Sequence, residues 1–340
     1  MFLKHDGTTW ATGDNTFGQI GTKYTEMMNF VEILSGGSEA VAVAAGGEHS
    51  MVLKQDGSVW STGMNIYGQL GDGTVNDDRL VFVQVIPSQG KAVAAGTKHS
   101  LMVMRDGSVW STGLNLRGQL GDGSTTDRNE FTQVIPGGAS AVSAGNEHSM
   151  VLKQDGSVWT SGSNWRGQLG DGTAGLKTRF VQVVSGGARA IAAGGYHSMV
   201  LKQDGSVWAS GENNHGQLGD GTTIVRYVVQ LVTHGAKAIA AGHDHSMVLK
   251  QDGSVCVTGR NNYGQLGTGP KTFRSTFIAV VSSGAQAVAA GVWHSMVLMH
   301  GTGLWGTGAN AYGQLGDGST IDKSAFMRVM LPGDGACCHV

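Results

Sequence analysis

Histidine is the residue whose regular spacing in this chain most suggests chemistry. Six histidines, each followed by serine, recur at intervals of 48 to 50 residues: His49, His99, His148, His197, His245 and His294. A metal ion needs its imidazole nitrogens at ~2.1 Å, and equivalent positions of successive repeats lie much farther apart than that. We therefore expect no metal site. The pattern predicts buried or half-buried histidines that are satisfied by the backbone, with the following serine suited to a local hydrogen bond.

Aspartates in repeated Gly-Asp-Gly-Thr or Gly-Asp-Gly-Ser segments are a second candidate for metal chemistry. They are Asp72, Asp122, Asp171, Asp220 and Asp317. The segments lack the alternating oxygen ligands and closing glutamate of a calcium-binding EF-hand loop, so they predict turns. Basic residues recur after them and are predicted to lie beside the acidic loops: Arg79, Arg128, Arg179, Arg226 and Arg274.

A catalytic site would have to appear once, and no nucleophile elbow, phosphate loop or paired-carboxylate motif does so. We expect neither enzymatic activity nor a cofactor. Cys256 occupies the position where six other repeats carry tryptophan, which predicts a buried apolar filler. Cys337 and Cys338 are adjacent and match no zinc or redox spacing.

The histidines belong to a repeat that accounts for nearly the whole chain. The segment HSMVLKQDGSVW occurs three times without change, and an N-x-x-G-Q-L-G signature places its Gly-Gln step 48 to 50 residues apart in seven copies. A strict period of this size marks a repeat architecture in which no unit buries its apolar face alone. We predict one domain, residues 1–340, of seven repeats.

Composition limits the kinds of partner and the cellular locations that the chain can have. The chain has 56 glycines and a net charge of −2, without a cluster of lysine or arginine. Nucleic-acid binding is therefore not expected. No run of eighteen apolar residues predicts a membrane span, and the opening residues match the inside of a repeat rather than a signal peptide. The sequence predicts a soluble protein, with a cytoplasmic location favoured.

Each repeat predicts four short strands in up-and-down order. The Asp-Gly pair between the second and third strands, as at Asp56–Gly57, predicts a tight type I′ hairpin turn. Seven such antiparallel sheets packed around an axis form a seven-bladed β-propeller, an all-β fold. The small residues of the first strand suit the crowded axis, and Trp60 and its equivalents suit the layers between blades.

Two signatures, A-x-G-x-x-H-S and N-x-x-G-Q-L-G-D-G-T, resemble those of the regulator of chromosome condensation (RCC1-like) repeat family. The resemblance runs from about Met1 to Val329 and implies a seven-bladed propeller. That family includes a nuclear exchange factor for a small GTPase, an ultraviolet-B photoreceptor, modules of ubiquitin ligases and an inhibitor of a secreted bacterial enzyme. The exchange factor's projecting wedge has no counterpart here, because no repeat has an insertion. The photoreceptor's tryptophan and arginine clusters are also missing.

Differences between the repeats indicate where a function lies. Two pairs vary: the x-x of A-G-x-x-H-S and the pair before Gly-Gln, and both are predicted on one face of the propeller. That face collects residue types enriched at binding hot spots: Phe17, Tyr67, Arg117, Trp165, Arg166, Tyr196, Tyr263, Trp293 and Tyr312. We predict a non-catalytic scaffold that binds an unidentified protein partner there. Two alternatives are an exchange factor for a small GTPase and a purely structural role for these side chains at blade junctions.

The two ends of the chain predict how the ring closes. Met1 aligns with Met51, so the opening residues supply only the second and third strands of a blade. The missing first strand is expected from Gly335–Val340, which is at best a fragment of such a strand. We expect the two ends to share this blade, and the blade that holds Met1–Gly13 to be the least stable part of the protein. Truncation of the natural chain, or a strand recruited from elsewhere, would explain the fragment.

Overall fold

The computed structural model describes the chain apart from residues 5, 6, 25, 35–39, 330 and 332–340. The described residues form strands, turns and loops, without a helix among them. Seven antiparallel sheets follow one another along the chain, and each packs against the next. The predicted seven-bladed β-propeller is confirmed.

Blades 1 to 4 are formed by the first fifteen strands. Blade 1 contains β1 (Phe2–Leu3), β2 (Thr9–Asp14) and β3 (Glu26–Leu34). Blade 2 contains β4 (Ala40–Ala45), β5 (His49–Lys54), β6 (Val59–Gly63) and β7 (Arg79–Ile86). Blade 3 contains β8 (Gly90–Ala95), β9 (His99–Met104), β10 (Val109–Gly113) and β11 (Arg128–Ile135). Blade 4 contains β12 (Ala139–Ala144), β13 (His148–Lys153), β14 (Val158–Ser163) and β15 (Leu176–Val184).

Blades 5 to 7 are formed by the remaining twelve strands. Blade 5 contains β16 (Ala188–Ala193), β17 (His197–Lys202), β18 (Val207–Gly211) and β19 (Arg226–Thr233). Blade 6 contains β20 (Ala236–Ala241), β21 (His245–Lys250), β22 (Val255–Gly259) and β23 (Arg274–Val281). Blade 7 contains β24 (Ala285–Ala290), β25 (His294–Met299), β26 (Gly303–Gly308) and β27 (Lys323–Arg328).

The hairpin turns between second and third strands differ from the prediction. Gly57 has a positive φ of 85°, but Asp56 does not, so the turn is not type I′. The amide of Gly57 donates to the carbonyl of Lys54 at 3.0 Å, and the Asp56 carboxylate accepts from the Ser58 amide at 2.7 Å. A tight turn followed by a glycine in the left-handed region is the usual form of a longer hairpin loop. Only the glycine therefore needs a positive φ.

The apolar core lies between blades rather than inside them. At the junction of blades 2 and 3, for example, Leu53 and Val59 of blade 2 pack with Met102 of blade 3. The half-buried Trp110 covers this cluster from blade 3, as predicted for its equivalents. Each blade thus completes the core of its neighbour, which is why a single repeat could not fold alone.

Blade 1 closes the ring against blade 7. The Thr12 hydroxyl lies 2.7 Å from the Gly313 carbonyl, and the Gly318 amide donates to the Met28 carbonyl at 2.9 Å. The three described strands of blade 1 correspond to the second, third and fourth strands of the other blades. Its first strand, expected from Gly335–Val340, falls outside the described residues. An apolar groove of about 570 Å³, bounded in part by Phe2, Val288 and Met296, lies beside β1 on the side of blade 7.

Candidate functional site

Polar residues that recur from repeat to repeat fix the loop between the third and fourth strands of each blade. In blade 2 the Asn65 side-chain oxygen accepts from the Leu70 amide at 3.1 Å, and the Gln69 side chain accepts from the Tyr67 amide at 3.0 Å. Gly68 has a φ of 75°, and a Cβ there would lie 2.4 Å from the Cα of Asn129 in blade 3. The N-x-x-G-Q-L-G signature therefore encodes a fixed loop that packs on the next blade.

Both variable pairs do lie on one face, and they contact each other across blade junctions. The residue before Gly-Gln in one blade meets the residue before His-Ser in the next. The Lys98 ammonium lies 4.9 Å from the Tyr67 ring centre, and the rings of Tyr263 and Trp293 stack at 5.2 Å. Arg117 lies 3.8 Å from Glu147. We call this surface the loop face and these contacts the junction pairs.

The junction of blades 4 and 5 has the densest of these contacts. The Arg166 guanidinium lies 4.2 Å from the Tyr196 ring centre and forms an ion pair with Glu212, whose side chain is almost fully buried. The hydrogen bond and the charge of Glu212 raise the pKa of Arg166 above its usual value, although burial acts in the opposite direction. The Tyr196 ring also meets His243 edge-on at 5.6 Å.

A polar string crosses the inner rim of the loop face from blade 3 to blade 6. The Thr97 hydroxyl donates to the Asn146 side chain at 2.7 Å, and the Asn146 amide group lies 2.9 Å from the His243 ring. The string passes over blade 5 at Gly195, where a Cβ would lie 2.7 Å from the His243 carbonyl oxygen. Because Gly195 has no side chain, Asn146 of blade 4 and His243 of blade 6 can contact each other above blade 5.

Asp244 is a buried carboxylate at the end of this string. Its two oxygens lie 2.9 Å from the His243 ring and 3.2 Å from the Arg260 guanidinium. Burial acts to raise the pKa of Asp244, but the hydrogen bond and charge of His243, followed by Arg260 and the charge of His215, lower it to about 2. Asp244 is therefore ionised at neutral pH and holds the inner rim together.

The nine residues predicted to bind a partner divide into two groups by exposure. Five are exposed: Arg117, Trp165, Arg166, Trp293 and Tyr312. Four are half-buried: Phe17, Tyr67, Tyr196 and Tyr263. Six of the nine take part in junction pairs, so the structural role considered as an alternative accounts for part of the pattern.

Several residues of this face were not among the nine predicted to bind a partner, although most belong to the variable pairs. Lys98, Asn146, Glu212, His243 and Asp244 all contribute to it, and a search for tyrosine, tryptophan and arginine passes over them. The sequence did contain a signal for these contacts. The two variable positions that meet at a junction stand about thirty residues apart, and their residue types are complementary. Arg117 with Glu147 is one such pair.

The repeated histidines form links between blades rather than a metal ring. The His49 ring lies 2.8 Å from the hydroxyl of Ser100 in blade 3, and that hydroxyl donates to the Gln69 carbonyl of blade 2 at 2.7 Å. The same link recurs at His99, His148, His197 and His245. The serine that pairs with the Nε2 atom of each of these histidines thus belongs to the next blade, which corrects the expectation of a backbone partner, and the Nδ1 atoms are buried without a hydrogen-bond partner in the described part of the chain. Among the described residues no cluster of histidine, cysteine, aspartate or glutamate could hold a metal ion.

The basic residues expected beside the acidic loops are found there at three positions. Arg79, Arg128 and Arg226 lie 2.7 to 2.8 Å from Asp72, Asp122 and Asp220. Arg179 also lies beside an acidic loop, but across the blade edge: its backbone bridges to Asp122 of blade 3, while Lys177 takes the place beside Asp171 at 3.4 Å. Arg274 follows a loop with Thr268 in place of the aspartate. Cys256 is half-buried, and burial raises the pKa of its thiol.

These features define a class: a repeat β-propeller with fixed loops on one face and repeated short turns on the other. A profile of the RCC1-like domain matches residues 29–332, and the chain belongs to that family. No curated protein sequence matches the chain. Within the described part of the chain, no helix is long and apolar enough to cross a membrane.

Solved structures are similar to the chain at the level of the fold. Human WBSCR16 is 20% identical with a TM-score of 0.85, over 96% of this chain and 94% of that one. Yeast RCC1 (Prp20) bound to Kap60 is 20% identical with a TM-score of 0.85, over 98% and 86% of the two chains. Prp20p of Saccharomyces cerevisiae, described together with its binding to Gsp1p and histones, is 20% identical with a TM-score of 0.86, over 98% and 88%.

Proposed function

We propose that the chain is a non-catalytic scaffold that binds a protein partner through its loop face. The observation that carries this proposal is the combination of fixed loops with exposed, chemically varied side chains on that face. The opposite face repeats Lys-Gln-Asp-Gly four times. A rigid scaffold that presents varied loops is a common arrangement for recognition, and loops that are already ordered lose little entropy on binding.

The test compares exposed residues on the two faces. A double variant, Trp165→Ala with Tyr312→Ala, removes two exposed aromatic rings without breaking a junction pair. The control variant, Gln154→Ala with Gln203→Ala, alters two exposed turns of the opposite face. In a quantitative pull-down we expect the first variant to lose specific protein partners and the control to keep them. The reverse pattern would contradict the proposal.

Exchange activity toward a small GTPase is the second candidate. The similarity to Prp20p over 98% of the chain favours it, and the family resemblance implies it. The repeats contain no insertion that could form the exchange factor's projecting wedge, and this argues against exchange activity. Accelerated release of labelled guanine nucleotide from a GTPase by the intact chain would support exchange activity.

A cytoplasmic location stays a prediction.

A further inference from the structure

One position of the loop face is exposed in all seven blades but differs in character around the ring. It is the second residue of the N-x-x-G-Q-L-G signature, directly after the asparagine: Thr16, Ile66, Leu116, Trp165, Asn214, Asn262 and Ala311. The three large apolar residues fall on consecutive blades, 2, 3 and 4. They are 40%, 63% and 60% exposed, respectively. We call these three side chains the apolar arc.

The apolar arc is held in place and has no covering element among the described residues. Each side chain projects from the fixed loop that the asparagine and glutamine of the signature close. The Trp165 carbonyl also accepts a hydrogen bond from the Tyr227 hydroxyl of blade 5 at 3.1 Å. Single exposed apolar residues are ordinary, but large ones at equivalent positions of adjacent units mark a contact surface.

A row of cations accompanies the arc on its inner side. Lys98 and Arg117 stand at the two junctions that the arc spans, and Arg166 stands at the next one, between blades 4 and 5. The counter-ions are more buried than the arginines they pair with: 33% exposure for Glu147 against 49% for Arg117, and 8% for Glu212 against 48% for Arg166. In both ion pairs the cation is therefore the more exposed partner, although the whole chain has a net charge of −2.

We infer that the apolar arc and its cation row form the docking site for an acidic, amphipathic segment of a protein partner. Large apolar side chains of that segment would pack on Ile66, Leu116 and Trp165. Its carboxylates would meet Lys98, Arg117 and Arg166, where charge complementarity sets orientation and excludes basic segments. This inference rests on the proposed function, since it places the partner on one half of the loop face.

The chain itself supplies the substitutions for a test. Blades 5 and 6 carry Asn214 and Asn262 at the arc position, so asparagine is compatible with the loop. The arc variant is Ile66→Asn, Leu116→Asn and Trp165→Asn. The charge variant is Lys98→Gln and Arg117→Gln, which leaves the buried Glu212 paired. Asn262→Ala, at the same position of blade 6, is the control. Trp293→Ala on blade 7 reports on the other half of the face, and thermal unfolding checks that every variant folds.

The probe is a random-peptide display library selected against the intact chain, with affinities measured on the selected peptides. We expect selected peptides to combine large apolar residues with net negative charge. The arc variant and the charge variant should each weaken them by about tenfold or more, while Asn262→Ala leaves them unchanged.

Peptides that are lost with Trp293→Ala but kept by the arc variant would overturn this inference and leave the proposed function standing. Selected peptides that are basic, or that ignore the charge variant, would also overturn it. A library that yields no binder, or only binders of the Lys-Gln-Asp-Gly face, would count against both proposals.

Discussion

Five histidines, His49, His99, His148, His197 and His245, are buried at the blade junctions, which makes folding sensitive to acid. Burial lowers the pKa of His49 and His197 to about 4 and, with neighbouring histidine charges, that of His99, His148 and His245 to about 3. The unfolded chain binds protons from about pH 6.5 downward, whereas the folded chain does not. Stability is therefore complete above that pH and is lost as the pH falls toward 4.

The first prediction is a steep loss of stability between pH 6.5 and 4. Each buried histidine contributes up to ~1.4 kcal/mol per pH unit to the slope, so the five act together. Urea unfolding at a series of pH values measures this directly. Replacing the exposed His234 and His300 by glutamine should leave the slope unchanged. A free energy of unfolding that is flat across this range would show that the histidines are not buried as neutral groups.

Gly195 carries the second prediction, since its missing side chain lets the polar string pass from Asn146 to His243. Gly195→Ala would place a methyl group 2.7 Å from the His243 carbonyl oxygen, and relieving that contact should cost about 1 to 3 kcal/mol of stability. Gly186→Ala is the control, because its added methyl group would meet nothing closer than 3.6 Å. Equal stability of the two variants in chemical denaturation would contradict the account of the rim.

The third strand of each blade supports a prediction on strand packing. In blade 5 the Trp208 indole donates to Ser206 at 3.0 Å, and the Lys202 ammonium lies 4.1 Å from its ring. Blade 6 has the equivalent Ser254 and Lys250 but carries Cys256 between the blades. Cys256→Trp should therefore stabilise the protein by about 1 to 2 kcal/mol through added apolar burial.

The reciprocal substitution is the comparison for that experiment. Trp208→Cys removes an indole that packs on the core between blades 4 and 5 and should destabilise by about 1 to 3 kcal/mol. Both free energies come from equilibrium unfolding. Loss of stability in Cys256→Trp as well would mean that blade 6 has closed around the smaller side chain.

At the level of strands and loops, the sequence predicts more of the fold than of the site. The period, the glycines and the alternating apolar residues are local signals, and they place strands such as β5 and β6 correctly. The contacts of the loop face are long-range, because Asn146 and His243 stand almost a hundred residues apart and belong to blades that are not neighbours. Residue type alone therefore finds Trp165 but passes over Asn146.

The hairpin turn shows that local sequence can also leave a short-range feature undetermined. Asp56–Gly57 is a strong turn signal, yet the dipeptide does not specify how many residues the loop contains. The hydrogen bond from Gly57 to Lys54 extends the loop by one residue and leaves Asp56 at negative φ. Register, which depends on both strands, decides the turn type.

The ring as a whole carries the fourth prediction, at the seam between blades 7 and 1. Among the described residues, β1 pairs with β2 through Phe2 and Leu3, whereas β5 pairs with β6 through five residues. The apolar groove beside β1 lies where the first strand of the next blade packs at the other junctions. We expect the amides of Phe2 and Leu3 to exchange faster with solvent than those of Val52 and Leu53.

Native-state hydrogen exchange measures this difference, and protection of Phe2 and Leu3 equal to that of blade 2 would show a sound seam. Whether the closing blade is shared by both ends of the chain also stays a prediction. A substitution of Cys337 and Cys338 by proline, which cannot donate to a strand ladder, should lower protection in β1 if those residues supply the first strand of blade 1. Unchanged exchange would exclude them from it.

The junction pairs also bear on how such a chain grows by duplication. The two members of each pair belong to different blades, but they lie within one stretch of about thirty residues, as Tyr67 with Lys98 and Arg166 with Tyr196. A duplicated segment that starts at a second strand and ends before the next histidine therefore carries its recognition contact intact. A segment cut at the blade boundary would separate the two members of a pair and place each beside a residue from a different junction. A unit that is copied with its contact intact is thus offset from the folded blade, and such copying would transfer surface chemistry one junction at a time.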